Sequence, residues 1–232
     1  MGSICSASGA QHPCASGTAI SGTFNSFGRG ATFSLVDDKH PYALAGVFLS
    51  IPSDVPPVVG NVNVHPDGQP RDRYGRLPVH VFQNQRWIQG ELLARGQAVV
   101  FNPSGSAECI ALLYQTEGKA RTKNVGVWKD GDLLLQATEL DRLSKMLGRF
   151  VVVEGRVVSV GDRSKMLYLN FGKNWAQDFT VAVVKKGANA FNGNIGRLKR
   201  LSNKWIQVRG YLEERQGPLI RLVDEKQIKL LP

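Results

Sequence analysis

Cysteine and histidine are scarce in this chain, three and four among 232 residues. No Cys-x-x-Cys pair occurs, and His12, His40, His65 and His80 are scattered, so no zinc-ligand spacing is present. His80 alternates within a strand-like run and reads as structural. Long apolar runs are also missing; none approaches the ~18–20 residues that a membrane-spanning helix needs. Acidic residues are the minority, 19 against 29 Lys and Arg, for a net charge of +10. What is there fits a β-rich globular protein: 42% hydrophobic residues, with 25 Gly for turns. The length suits two small domains or one large one.

The positive charge is unevenly placed. Residues 147–232 hold 16 Lys and Arg against 7 Asp and Glu, while residues 1–146 hold 13 against 12. The excess therefore belongs to the C-terminal part and points to an anionic partner there. Cys5 and Cys14 lie in a Ser/Ala/Gly-rich segment; a small disulfide loop between them would imply an oxidising compartment. Met1-Gly2-Ser3 reads as a leftover junction, so the natural chain is expected to begin upstream.

One stretch organises the sequence. Asp72-Arg73-Tyr74-Gly75-Arg76 reads as a tight turn in which Gly75 takes positive φ and Arg76 is left free to reach an anion. Leu77-Pro78-Val79-His80-Val81-Phe82 follows as a half-buried strand and Gln83-Asn84-Gln85 as a polar turn. Residues 86–96 then read as an amphipathic helix closed by Gly96, before another apolar run. This D-R-Y-G-R, strand, E-L-L-A-R-G-Q-A-V-V pattern resembles the second half of the staphylococcal-nuclease-like (thermonuclease) family. Lys119-Ala120-Arg121-Thr122-Lys123-Asn124-Val125-Gly126-Val127-Trp128 resembles the family's closing segment. The resemblance covers residues 18–129 and implies a nuclease-like barrel of the OB type.

Residues 1–17 read as an irregular arm. Strands are expected at 18–27, 31–36 and 42–50, with turns at 28–30 and 37–41. Residues 51–70, with several prolines, read as a loop in place of the family's first helix.

The same first half decides the catalytic question. The family carries a D-G-D-T turn and an R-L-x-G-[IV]-D-x-P-E stretch. The resemblance implies that its Arg contacts phosphate, its Asp residues hold calcium and its Glu positions a water, as in-line attack on a phosphodiester requires. Here the Arg, Asp and Glu positions fall on Ala43, Phe48 and Ile51, and the turn falls on Gly28-Arg29-Gly30-Ala31. A shifted register through Ser53-Asp54-Val55-Pro56-Pro57 keeps one Asp and loses the rest. Arg76 alone matches a family catalytic position.

Residues 130–147 read as a linker helix, from leucines near helical spacing. Residues 148–232 read as a second, basic OB-like barrel. Its strands are expected at 149–160, 166–171, 178–185, 204–212 and 219–231, with a helical insert between the third and fourth. Gly155 suggests a bulge in the first of them. This half resembles the OB-like C-terminal part of some bacterial, typically alphaproteobacterial, thermonuclease-family proteins, which implies export to the periplasm, although the sequence shows no signal peptide.

The expected fold is thus mainly β with a few helices, two tandem OB-type barrels, the first nuclease-like. The expected function is a non-catalytic binding or scaffold protein, a pseudoenzyme. Its partner is either single-stranded nucleic acid or a protein of the cell envelope. The nucleic-acid candidates are Arg73, Tyr74, Arg76, Tyr168, Trp175, Arg197, Lys199 and Arg200, the aromatics for base stacking and the cations for phosphate. Phe171 and Phe179 read as core. No cofactor or metal is expected. The alternative is a calcium-dependent phosphodiesterase that rebuilds its metal site from Asp37, Asp38, Asp54 or Asp72.

Overall fold

The computed structural model describes residues 11–28, 31–50, 58–129, 131, 133–174, 176–187 and 191–232. The chain divides into two compact units, residues 1–123 and 124–232.

In the first unit β1 (Ile20–Phe27), β2 (Thr32–Leu35) and β3 (Asp38–Leu44) form the expected meander, and short β4 (Val47–Leu49) follows. Gly46, at φ 71°, turns the chain between β3 and β4, so the run expected as one strand is two. The 37–41 segment was expected as a turn, yet β3 begins at Asp38 and contains Pro41. The β2–β3 register shifts between Phe33/Tyr42 and Leu35/Asp38, which is where a residue without an N–H is tolerated.

Next come β5 (Gly60–Pro66), β6 (Leu77–Gln83), β7 (Arg86–Trp87), α1 (Ile88–Ala94), β8 (Ala98–Val100) and α2 (Ala107–Thr122). Strand β5 corrects the loop expected over 51–70. Val62 and Val64 point inward while Asn61 and Asn63 face solvent, an alternation that the surrounding prolines and asparagines disguise. Residues 51–57 lie outside the described set. Gly96, at φ 64°, closes the helical stretch as expected. Ser106 caps α2 by accepting a hydrogen bond from the Cys109 N–H at 3.1 Å.

The sheet runs β3-β2-β1-β5-β6, and β3 pairs again with β6, in parallel, so the sheet closes into a five-stranded barrel. Phe24, Phe33, Tyr42, Val64, Val79 and Val81 fill it, with Ile88 and Leu92 of α1 in the same core.

The second unit corrects the expected linker helix. Residues 134–145 hold strand β9 (Leu134–Gln136), a turn, and the six-residue α3 (Leu140–Lys145). β9 pairs in parallel with β10 (Phe150–Arg156) and so belongs to the second sheet. Leu134 and Leu135 suit a strand as well as a helix, and a partner strand decides between them.

β11 (Ser159–Asp162), β12 (Met166–Asn170), β13 (Thr180–Val184), α4 (Ile195–Lys199), β14 (Trp205–Glu214) and β15 (Pro218–Leu222) follow. A one-turn helix at Glu225–Gln227, capped by Asp224, then leads into β16 (Ile228–Leu230), so the expected strand 219–231 is broken. The expected strand 149–160 is likewise two, β10 and β11. Gly155 makes no bulge, since its register with Ile206 is continuous. It is glycine because a Cβ there would come within 2.6 Å of Ala137 Cβ and 2.8 Å of the Phe171 ring.

The path β11-β12-β13-β15-β14-β10 returns to the segment it left, because β10 and β11 are consecutive in the chain. Counting β10 and β11 as one bent strand, both units share the order 1-2-3-5-4-1, with the third strand parallel to the fifth. Both are barrels of the OB type. Phe171 and Phe179 are buried, as expected.

The disulfide corrects the Cys5–Cys14 expectation. Cys14 is bonded to Cys109 of α2, 95 residues away, and Cys5 lies outside the described residues. His80 sits beside it, with Nε2 3.4 Å from Cys109 Sγ, while Trp87 Nε1 approaches Nδ1 at 3.4 Å. The indole N–H can only donate, so His80 accepts on Nδ1 and carries its proton on Nε2. Burial, then the neighbouring His12 and His65, push its pKa down from 6.5 to about 4. Cys14, His80 and Cys109 lie close enough to share an ion, but both sulfurs are consumed in the disulfide. Holding a loop this long should contribute about 2–5 kcal/mol. We expect Cys109→Ser to lower the unfolding free energy in urea by that amount, and non-reducing peptide mapping to recover the Cys14–Cys109 pair; a Cys5–Cys14 peptide would overturn the assignment.

Candidate nucleic-acid interface

The loop before β6 is built on one carboxylate. Asp72 Oδ1 accepts from the backbone N–H of Tyr74 at 2.9 Å and of Arg76 at 3.0 Å, and Oδ2 accepts from Arg76 Nε at 2.7 Å. Gly75 takes φ 75° and donates to the Asp72 carbonyl at 2.8 Å. Burial pushes the Asp72 carboxyl up, but the bonds from Arg76 and from the two backbone N–H groups outweigh it and hold it below the usual carboxylate range.

The loop presents its cations in a fixed pose. Arg76 Nη1 donates to Thr32 Oγ1 at 3.2 Å, and Arg71 Nη1 to the Gly75 carbonyl at 2.9 Å. Tyr74 is 62% exposed. The Arg73 and Arg76 guanidinium carbons lie 4.8 and 5.1 Å from the centre of its ring. Structure thus brings Arg73, Tyr74 and Arg76 together.

Arg76 faces the strand positions where the resemblance places the family's first arginine. Thr32, its partner, pairs in register with Ala43. Phe48 lies in β4, opposite Val99 of β8. Neither side chain can ligate a cation. Arg29, Gly30, Ile51 and Asp54 lie outside the described residues.

Two carboxylates of the relocated-calcium alternative are described and already engaged. Asp72 holds Arg76. Asp38 accepts from the Tyr42 hydroxyl, from the backbone N–H of His40 at 2.9 Å, and meets His40 Nδ1 at 2.6 Å. The Tyr42 hydroxyl first, then His40, bring the Asp38 carboxyl down to about 2, and burial with the Asp38 bond pushes Tyr42 up to about 12. Asp37 is exposed at the β2–β3 turn.

In the second unit Tyr168, on β12, lines a concavity of about 320 Å³ with Asn170, Thr180 and Leu219. Arg163 and Arg215 stand at its sides, from the β11–β12 and β14–β15 turns. The other basic candidates lie elsewhere. Arg197 lines a separate small recess with Leu198, Ile206 and Glu225. Lys199 is paired with Asp162 at 2.7 Å, and Arg200 caps the C-terminal end of α4. Trp175 lies outside the described residues. Sequence reading missed Arg163 and Arg215, which looked like ordinary charges in the turns Gly161-Asp162-Arg163-Ser164 and Glu214-Arg215-Gln216-Gly217. The available signal was their position: in a barrel of this order, the turns joining strands one to two and four to five flank the face of strands two and three.

Comparison with protein families matches residues 57–130 to the family described as Staphylococcal nuclease homologue. The match holds both the Asp72–Arg76 loop and the Lys119–Trp128 segment, and supports the nuclease-like identity of the first barrel. It begins after β1–β4. A comparison with curated proteins found no match.

The Asp38 bonds give a direct check. Its folded pKa is depressed, so its contribution to stability is complete above about pH 4 and is lost as pH falls toward 2. We expect the Asp38 carboxyl carbon to titrate in NMR with a midpoint near 2, and Tyr42→Phe to return the midpoint toward the usual range. A midpoint of about 4 in the unmodified chain would show that the carboxylate is free.

Proposed function

We propose that the protein is a non-catalytic binding protein for single-stranded nucleic acid, built from a nuclease-like barrel followed by a second, basic barrel. The observation that carries this reading is the Asp72–Arg76 loop. It keeps Arg76, which the resemblance matches to a family catalytic position, and sets it beside an exposed tyrosine flanked by a second guanidinium. The positions that the resemblance assigns to the first arginine and to a calcium ligand carry Ala43 and Phe48. Phosphate affinity and base stacking survive that loss, because they need only cations and a π face. Hydrolysis does not, because each lost electrostatic stabiliser costs about 3–4 kcal/mol of transition-state binding. Asp38 and Asp72, spent on Tyr42, His40 and Arg76, support the same side of the argument against relocated calcium ligands.

The Cys14–Cys109 disulfide supports placing the protein in an oxidising compartment, the periplasm of a bacterium in this reading. No helix among the described residues is long and apolar enough to cross a membrane.

The test is fluorescence anisotropy of a labelled single-stranded oligonucleotide, titrated with the full chain at low and moderate salt with calcium present. We expect a salt-sensitive rise that holds steady. Tyr74→Ala should weaken binding by about 1–3 kcal/mol, the worth of one stacked base. Arg73→Ala should reduce the salt slope by about one. A rise that decays as the oligonucleotide is cut would restore the phosphodiesterase reading. A flat trace at micromolar protein would remove nucleic acid and leave a protein partner of the envelope.

A further inference from the structure

The face of the second barrel carries a concavity of its own. β11, β12, β13 and β15 lie side by side, with Gly161 opposite Tyr168, and Asn170 opposite Thr180, which in turn faces Leu219. Leu167 and Leu169 point into the barrel and are fully buried, so Tyr168 and Asn170, which alternate with them, point outward. Gly161 places no side chain beside the tyrosine; a Cβ there would sit 3.7 Å from Tyr168 Cβ. The floor of the concavity is therefore a half-buried aromatic ring with a glycine on one side and a carboxamide next to it.

Its walls are positive without compensation. Among the described residues, neither the Arg163 nor the Arg215 guanidinium has a hydrogen-bond or ion-pair partner. Two of the nearby acids are engaged. Asp162, adjacent to Arg163, is held by Lys185 at 2.5 Å and Lys199 at 2.7 Å. Glu213 is held by Arg221 at 3.1 Å. The rim stays net positive even with exposed Glu214 on the same turn. Two guanidiniums on separate turns, an aromatic ring lining the same concavity and amides from Asn170 and Gln216 suit an anion with a flat ring attached. The volume of about 320 Å³ falls within the range of sites that enclose a small molecule.

We propose that this concavity holds one nucleotide of a single strand, its base on Tyr168 and its flanking phosphates on Arg163 and Arg215. The proposal rests on the nucleic-acid reading of the first barrel and adds to it a separate site, whose loss can be told apart from the failure of that reading.

The experiment uses the full chain in two measurements. In the first, a labelled oligothymidylate of about a dozen nucleotides is titrated with wild type, Tyr168→Ala, Tyr168→Phe, Arg163→Ala and Arg215→Ala. We expect Tyr168→Ala to weaken binding at least about tenfold and Tyr168→Phe to bind like wild type, because the ring does the stacking. Each arginine variant should weaken binding and lower the salt slope by about one. In the second, thymidine monophosphate is added to isotopically labelled protein. The Gly161 amide should shift in wild type and stay still in Tyr168→Ala, and far-ultraviolet circular dichroism reports whether each variant is folded. Wild type that binds the oligonucleotide while all four variants bind equally, with Gly161 unmoved, overturns the pocket and leaves the first-barrel reading standing. No oligonucleotide binding by wild type overturns both. A polyglutamate peptide that moves Gly161 where the nucleotide does not would overturn the pocket in favour of an acidic protein.

Discussion

Both barrels close through one kind of pairing, the third strand running parallel to the fifth. In the first unit Tyr42, Ala43 and Leu44 lie on Leu77, Pro78 and Val79; in the second, Thr180 to Val183 lie on Leu219 to Leu222. These contacts are distant in sequence, so they cost loop closure and are held by what they enclose. Val79 and Val81 in one unit, and Val181, Val183 and Ile220 in the other, are fully buried. Closure also sets where function can sit. It leaves no free edge in the five-strand ring and pushes chemistry to the loops and to the outer face of the strands. The Asp72–Arg76 loop enters the fifth strand of the first barrel, immediately beside the closing pair Tyr42–Leu77.

Within that loop a single carboxylate fixes the cations. Asp72 spends its oxygens on the turn and on Arg76, which orients the guanidinium toward Thr32 and Tyr74. An arginine so held still presents charge to a phosphate, since a guanidinium offers five N–H donors. Binding and catalysis separate here on simple electrostatic grounds. Affinity for a polyanion sums over many weak contacts, whereas in-line hydrolysis depends on a few groups in one geometry.

The disulfide adds a different constraint. Cys14 precedes the first strand and Cys109 lies in α2, so the bond ties the segment before the barrel to its last helix. Around it His12 packs on Trp87 and Phe82, with ring centres 4.8 and 5.0 Å apart. His80, buried and neutral, completes this corner. Three of the four histidines, His12, His65 and His80, therefore gather around Phe82 and Trp87, while His40 stands apart on Asp38.

Local chemistry made much of this readable from the residues. The positive φ of Gly75 and Gly96 and the helix that Gly96 closes depend on neighbours a few positions away, whereas β6, expected to be half-buried, is buried from Val79 to Gln83. The D-R-Y-G-R motif, which lies within the family match, was readable too, since identity at a position needs no coordinates. Other features were decided by partners far along the chain. Gly60–Pro66 is a strand because β1 and β6 flank it, and Leu134–Gln136 is one because β10 accepts it. Cys14 found Cys109 and not its near neighbour. Arg163 and Arg215, 52 positions apart by number, line one concavity with Tyr168 because barrel closure sets their two turns beside one face. The sequence determined which groups exist and how each short segment bends; the tertiary structure decided which of them stand together, because closing a barrel brings distant residues into contact that no local preference encodes.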